Sequence, residues 1–86
     1  MKFDFDPEKS EADRLKHGID FVEAQALWDD PDRLQVSAHT KGEPRLMLIG
    51  RIGGKHWSAI FTIRDDKTRI ISVRRSRVRE VERYEE

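Results

Sequence analysis

From residue 34 the pattern of the chain changes to a period of two, in segments separated by turn residues. A period of two belongs to strands with one buried face, and a run this long cannot be wound as a helix without scattering its apolar side chains. Leu34, Val36 and Ala38 alternate with Gln35, Ser37 and His39. Thr40-Lys41-Gly42-Glu43 reads as a turn, and residues 44–52 as the next strand, with Leu46 and Leu48 opposed to Arg45, Met47 and Ile49. Gly53-Gly54 signals a tight hairpin. Residues 55–64 then set Trp57, Ala59, Phe61 and Ile63 against His56, Ser58, Ile60, Thr62 and Arg64. Asp65-Asp66-Lys67 turns the chain into a strand over 68–74. Connections this short make the sheet mostly antiparallel.

Helices flank this meander. Met1, Phe3 and Phe5 alternate with Lys2 and Asp4, which predicts a short first strand. Asp6-Pro7 offers an N-cap and a first helical residue, and Gly18 offers the left-handed residue that ends a helix. Ala12, Leu15 and Ile19 give that helix a narrow apolar edge. Asp20 and Glu23 form a capping box for a second helix, whose buried face is Phe21, Ala24, Leu27 and Trp28. Asp29-Asp30-Pro31-Asp32 stops it and reads as a solvated turn. Ser76 is placed to cap a final helix over 77–85 with a thin apolar face of Val78, Val81 and Tyr84. The expected architecture is one α+β domain over 1–86: a mostly antiparallel sheet of about four to five strands, two N-terminal helices packed on one face, and a C-terminal helix.

The formal net charge is zero, but its distribution is uneven. Residues 1–32 carry 4 basic and 10 acidic side chains, residues 33–79 carry 12 and 3, and residues 80–86 carry 1 and 4. Screening over about 8 Å at physiological salt lets such segments present separate potentials, so a polyanion can find the basic middle. The alternative is that the acidic ends fold back and neutralise it. The segment 64–79 is the densest, with seven cations in sixteen residues and Ile70, Ile71 and Val73 running through it. Cations on a strand are held more rigidly than on a tail. The sequence has no cysteine, no apolar run long enough to span a membrane and no apolar signal core at the N-terminus, so a soluble cytoplasmic protein is expected.

No phosphate-binding glycine loop, metal-spaced histidine pair or nucleophile elbow is present, so no cofactor and no metal site is expected. What remains is arginine on a sheet. By alternation, the face away from the helices carries Arg45, Arg51, Thr62, Arg64, Ser72 and Arg74, while Arg69 and Arg75 turn towards the helices, where they could pair with acids of the first one. Single-stranded RNA is commonly bound on such surfaces. Cleavage without a metal further needs a base for the 2′-hydroxyl, cations for the charge gathering on phosphorus, and an acid for the leaving oxygen. Arg64 and Arg74 are the leading cations. His17, His39, His56, Glu43 and Tyr84 are the candidate acids and bases, each with an ordinary structural alternative such as a helix-end cation or a core-edge tyrosine. The residues by themselves divide evenly between a ribonuclease and a noncatalytic nucleic-acid-binding or regulatory module. A pure protein-interaction domain, whose thin last helix orders on a partner, is a third class.

The residues also carry a resemblance. Phe3-x-x-Asp6-Pro7-x-Lys9, Lys16-His17-Gly18-Ile19-x-Phe21-x-Glu23-Ala24, Asp30-Pro31, Glu43-x-Arg45 with Gly50, Thr62-x-Arg64, Arg69-Ile70-Ile71-Ser72-Val73-Arg74, Glu80 and Tyr84 follow one another as in the BrnT toxins of bacterial type II toxin–antitoxin pairs. The resemblance covers nearly the whole chain. It implies a fold similar to RelE-type toxins, RNA cleavage that inhibits translation and growth, and neutralisation by a BrnA-type antitoxin through which alone operator DNA is reached. From the sheet face and the acid–base candidates above, with the resemblance favouring a ribonuclease, Arg64, Arg74, His17, Glu43 and Tyr84 are the expected catalytic group, and Lys16, Arg45, Arg51, Thr62 and Ser72 the expected RNA contacts. Arg77, Val78 and Val81 are the expected antitoxin contacts. The chain departs from the family's usual residues at Phe5, Asp13 and Ser76, none of which removes a cation.

Overall fold

The computed structural model describes residues 1–38 and 41–86, so His39 lies outside the described residues. The elements run β1 (Phe3–Phe5), α1 (Pro7–His17), a 3₁₀ helix (Glu23–Asp29), β2 (Leu34–Ala38), β3 (Arg45–Ile52), β4 (Lys55–Arg64), β5 (Lys67–Arg75) and α2 (Val78–Glu85). The fold is α+β. One five-stranded sheet has the order β1-β5-β4-β3-β2, antiparallel except where β1 lies parallel to β5. No described helix is long and apolar enough to cross a membrane.

Local chemistry accounts for the element ends. Asp6 accepts a 2.9 Å bond from the Glu8 backbone, and Gly18 ends α1 at φ +86°. Asp65 and Asp66 both take positive φ (49° and 64°) in the two-residue turn between the paired Arg64 and Lys67, a conformation that aspartate tolerates better than most residues. The Asp20–Glu23 box forms in both directions, at 2.7 and 3.1 Å, but the turn it opens tightens into a 3₁₀ helix rather than the expected α-helix.

The core lies on one face of the sheet. Leu48, Trp57, Ala59, Phe61, Ile70 and Val73 meet Ile19, Phe21, Ala24 and Leu27, with Phe3, Phe5 and Trp28 at the margin. Trp28 is clasped edge-on between Phe3 and Phe61, with centroids 5.1 and 5.2 Å apart. The 3₁₀ helix comes so close to β3 that a Cβ at Gly50 would stand 3.1 Å from Leu27 Cδ2. Of the expected apolar edge of α1 only Ile19, beyond the helix end, is buried; Ala12 is exposed, Leu15 is 73% exposed, and Ser10 is the buried residue of the helix itself. Two polar bonds hold α1 instead. Ser10 Oγ accepts from Phe21 N at 3.0 Å, and Asp13 accepts from Val73 N at 2.8 Å.

The last helix also departs from expectation. Arg77, not Ser76, is its N-cap, and Glu80 reaches back to the Arg77 backbone at 2.9 Å. Alternation puts Ser58 and Arg74 opposite the core side chains Ala59 and Val73, and Glu80 of α2 bonds both. Helix α2 therefore lies over the second face, where Ile49 and Ser58 are buried.

Candidate functional site

The second face is built from four strands in register. At the α2 end Ile49 pairs with Ser58, and Ser58 with Arg74. The next row is Val36, Met47, Ile60 and Ser72, half-buried throughout. Beyond it Thr62 pairs with Arg69, and Arg64 with Lys67. The face thus carries Met47, Ile49 and Ile60 beside its arginines, as the alternation of β3 and β4 predicts. An apolar band divides it into two polar ends. Six residues of β4 separate Ser58 from Arg64, which at about 3.3 Å per residue places Arg74 and Arg64 about 20 Å apart. Each guanidinium is turned to a carboxylate at its own end, Arg64 to Glu43 and Arg74 to Glu80.

A bulge decides which arginines share this face. Ile60 pairs with Ser72 while its neighbour Phe61 pairs with Ile70, so Ile71 is skipped. The extra residue reverses the parity of β5. Arg69, expected to face the helices, therefore shares the face of Arg64, Ser72 and Arg74, and it pairs with Asp4 of β1 at 2.6 Å. Arg75 does face the core side, with its guanidinium 5.5 Å from the Trp57 ring centroid.

The first polar end is centred on Arg64. Its guanidinium donates to both oxygens of Glu43, at 2.8 and 2.7 Å. That bond, above all, holds the Glu43 carboxyl down at about 2. Glu43 is therefore ionised at neutral pH but is a weak base. Thr62, named as an RNA contact, is buried and donates its hydroxyl to the Pro44 carbonyl at 2.7 Å. Arg45 stands exposed beside this pair.

The second end gathers more chemistry. His56 Nε2 lies 2.9 Å from Glu85 Oε1, and its ring meets Tyr84 edge-on at 5.1 Å. Arg51 pairs with His56 across the strands. Tyr84 donates to Asp30 Oδ2 at 2.7 Å, and the same oxygen accepts from Arg51 N at 2.8 Å. Asp30 is thus a junction between the 3₁₀ helix, β3 and α2, not part of a solvated turn. Burial, reinforced by the bond to Asp30, pushes Tyr84 up to about 12. Burial opposes ionisation of Asp30, but bonds from Tyr84 and from the Asp32 and Arg51 backbones hold its carboxyl below the usual range. Next to this group Arg74 donates to both oxygens of Glu80, at 2.8 Å each.

The fold does not assemble the expected catalytic group at one point. Arg64 with Glu43 lies at one end of the sheet face, and Arg74 with Tyr84 at the other. His17 and Lys16 occupy the last turn of α1 and bond to neither group among the described residues. Of the expected antitoxin contacts, Arg77 and Val78 are exposed and Val81 is half-buried. Sequence reasoning missed the bonds of Ser58, Ser76 and Asp30, whose partners are 18 to 54 residues away in the chain, and the role of Glu80, which meets Arg74 only because α2 turns back over the sheet.

The segment bearing both ends matches a protein-family model, that of the ribonuclease toxin BrnT of type II toxin–antitoxin systems, over residues 5–80. The chain belongs to the BrnT family. No individual curated protein matches it. Membership makes a type II toxin–antitoxin ribonuclease toxin the class of this chain and implies an antitoxin partner. The matched span of this BrnT chain takes in the last residue of β1, strands β2 to β5 and the start of α2, including Glu80, but stops short of Tyr84 and Glu85.

Proposed function

We propose that this chain is an endoribonuclease toxin that cleaves RNA without a metal ion and thereby inhibits translation and growth in the cytoplasm. The observation that carries it is the meeting of His56, Arg51 and Tyr84 at one end of the sheet face, with Arg74 paired to Ser58 two residues further along β4. In this reading His56 takes the proton of the RNA 2′-hydroxyl, and the freed oxygen attacks phosphorus. The bond to the 5′-oxygen breaks and leaves a cyclic phosphate. Arg74 and Arg51 stabilise the charge on the phosphorus oxygens. Tyr84 or a protonated histidine returns a proton to the leaving oxygen. Arg64, Arg45 and Arg69, at the other end, position the rest of the strand. A BrnA-type antitoxin neutralises the toxin by seating on the outer side of α2, at Arg77 and Val78, and operator DNA is reached only through that complex.

The test is cleavage of a single-stranded RNA with all divalent metal chelated. Wild-type protein should cut, and His56→Ala and Arg74→Ala should each lower the rate by about 10²-fold or more, as removal of a catalytic base or an oxyanion donor does. Arg64→Ala should weaken binding more than turnover. Equal product from wild type and the Arg64→Ala, Arg74→Ala double variant would sink the catalytic assignment.

A second reading, a noncatalytic RNA-binding module, draws on a specific observation. The Tyr84 proton is committed to Asp30, and Glu43 is too weakly basic to accept one. Salt-dependent binding without any product would favour that reading.

A further inference from the structure

The carboxylate of Glu80 sits in a cradle made entirely of donors. Arg74 contributes Nη1 and Nη2, each at 2.8 Å, to the two oxygens. Ser58 Oγ donates at 2.9 Å and the Arg77 backbone at 2.9 Å, both to Oε1. Ser58 Oγ is in turn 2.8 Å from Ser76 Oγ. Every donor comes from β4, from β5 or from the link after it, and the one acceptor comes from α2. The group is well enclosed: Ser58 is fully buried, and the Glu80 and Arg74 side chains are 15% and 23% exposed.

A phosphodiester presents two non-bridging oxygens and one negative charge. A carboxylate presents the same number of each, and the guanidinium fork accepts both in one geometry. We infer that this cradle is a phosphodiester-binding site of the toxin, and that Glu80 is its internal occupant, yielding its place when RNA binds. The identity of the ligand rests on the function proposed above; the cradle itself rests on geometry.

Two further observations fit an occupant that can leave. None of the eight residues of α2 is fully buried, so its seat depends on polar contacts: Glu80 on Arg74, Glu85 on His56 and Tyr84 on Asp30. The segment 80–86 also carries four acids against one arginine. Two of those acids lie on Arg74 and His56, the groups that an RNA backbone would meet. With α2 seated, the helix acts as an intramolecular polyanion on the basic sheet, and strand binding competes with it.

The experiment titrates a short 2′-O-methyl oligoribonucleotide, which cannot be cut, and inorganic pyrophosphate against wild type, Glu80→Gln, Glu80→Asp and the Glu80→Gln, Arg74→Ala double variant. Circular dichroism follows the fold of each. Glu80→Gln should bind the oligonucleotide about tenfold tighter, the size of one additional charge-assisted hydrogen bond. Its salt dependence should steepen by about 0.7 in log–log slope, the value of one more phosphate on a single strand. Both effects should vanish in the double variant. Glu80→Asp keeps the charge but is one methylene short of the fork, so it should show a smaller increase in affinity and serves if the glutamine variant misfolds. No increase in either folded variant, or an increase that survives loss of Arg74, overturns the inference even if wild type binds and cuts RNA. If no form binds RNA while Glu80→Gln still takes pyrophosphate through Arg74, the cradle stands and the RNA reading falls.

Discussion

Ser10 is a small polar residue doing what an apolar edge was expected to do. It is 7% exposed, and its Oγ accepts the backbone proton of Phe21, which is itself fully buried. Ser10→Ala would leave that N–H without a partner, at a cost of about 1–3 kcal/mol. Denaturant unfolding should show that loss, whereas Leu15→Ala, at an exposed position, should change little. Two of the three departures from the usual family residues are likewise fastened by polar bonds: Asp13 holds Val73 N, and Ser76 meets Ser58. The third, Phe5, packs edge-on against Phe21 at 5.7 Å. The caps at Asp6 and at Asp20 with Glu23 were readable because donor and acceptor lie within three residues of each other, although the equally local Arg77–Glu80 cap was not. The bonds of Ser10, Asp13 and Asp30 were not, since only folding brings their partners near.

At the level of elements, strand ends followed the turn residues closely, but faces followed the bulge. Skipping Ile71 moved Arg69 across the sheet, and no propensity of Arg69-Ile70-Ile71-Ser72 announces that step. The opposite lesson comes from α2. Its thin apolar face suggested a helix that orders on a partner, whereas its seat over the basic face came only with the Glu80, Glu85 and Tyr84 contacts within the chain. A helix seated this way belongs to the low-stability end of the molecule. Hydrogen exchange should open the amides of residues 80–85 well before those of β4 and β5. Tyr84→Phe, which deletes the bond to Asp30, should speed that opening further. Protection in α2 equal to that of β4 would contradict a detachable helix.

For the whole molecule, the charge pattern has a double outcome. The basic middle does form a surface, and the acidic ends do fold onto it, through Asp4 on Arg69 and Glu80 on Arg74. This makes the fold acid-sensitive in a definite window. The bond from Arg74 lowers the Glu80 carboxyl from an ordinary 4.5 to about 2 against the opposing effect of burial. A folded-state value below the unfolded one stabilises the protein above the unfolded value, and that stability is lost as pH falls from about 4.5 towards 2. Glu43, shifted similarly but on the surface, should add less because solvent screens its pair. Unfolding free energy measured between pH 5 and 2 should drop less steeply in Glu80→Gln than in wild type. An equal slope would remove Glu80 as a source. The sequence alone determined the strands, the hairpins, the caps of α1 and the family, because each depends on period, turn chemistry or order along the chain. Tertiary structure alone decided that β1 joins β5 in parallel, that a bulge brings Arg69 to the basic face, and that the carboxylate of Glu80 fills the fork of Arg74. Those outcomes depend on which distant side chains share a face, and residues far apart in the chain acquire a common face only when the sheet closes its register.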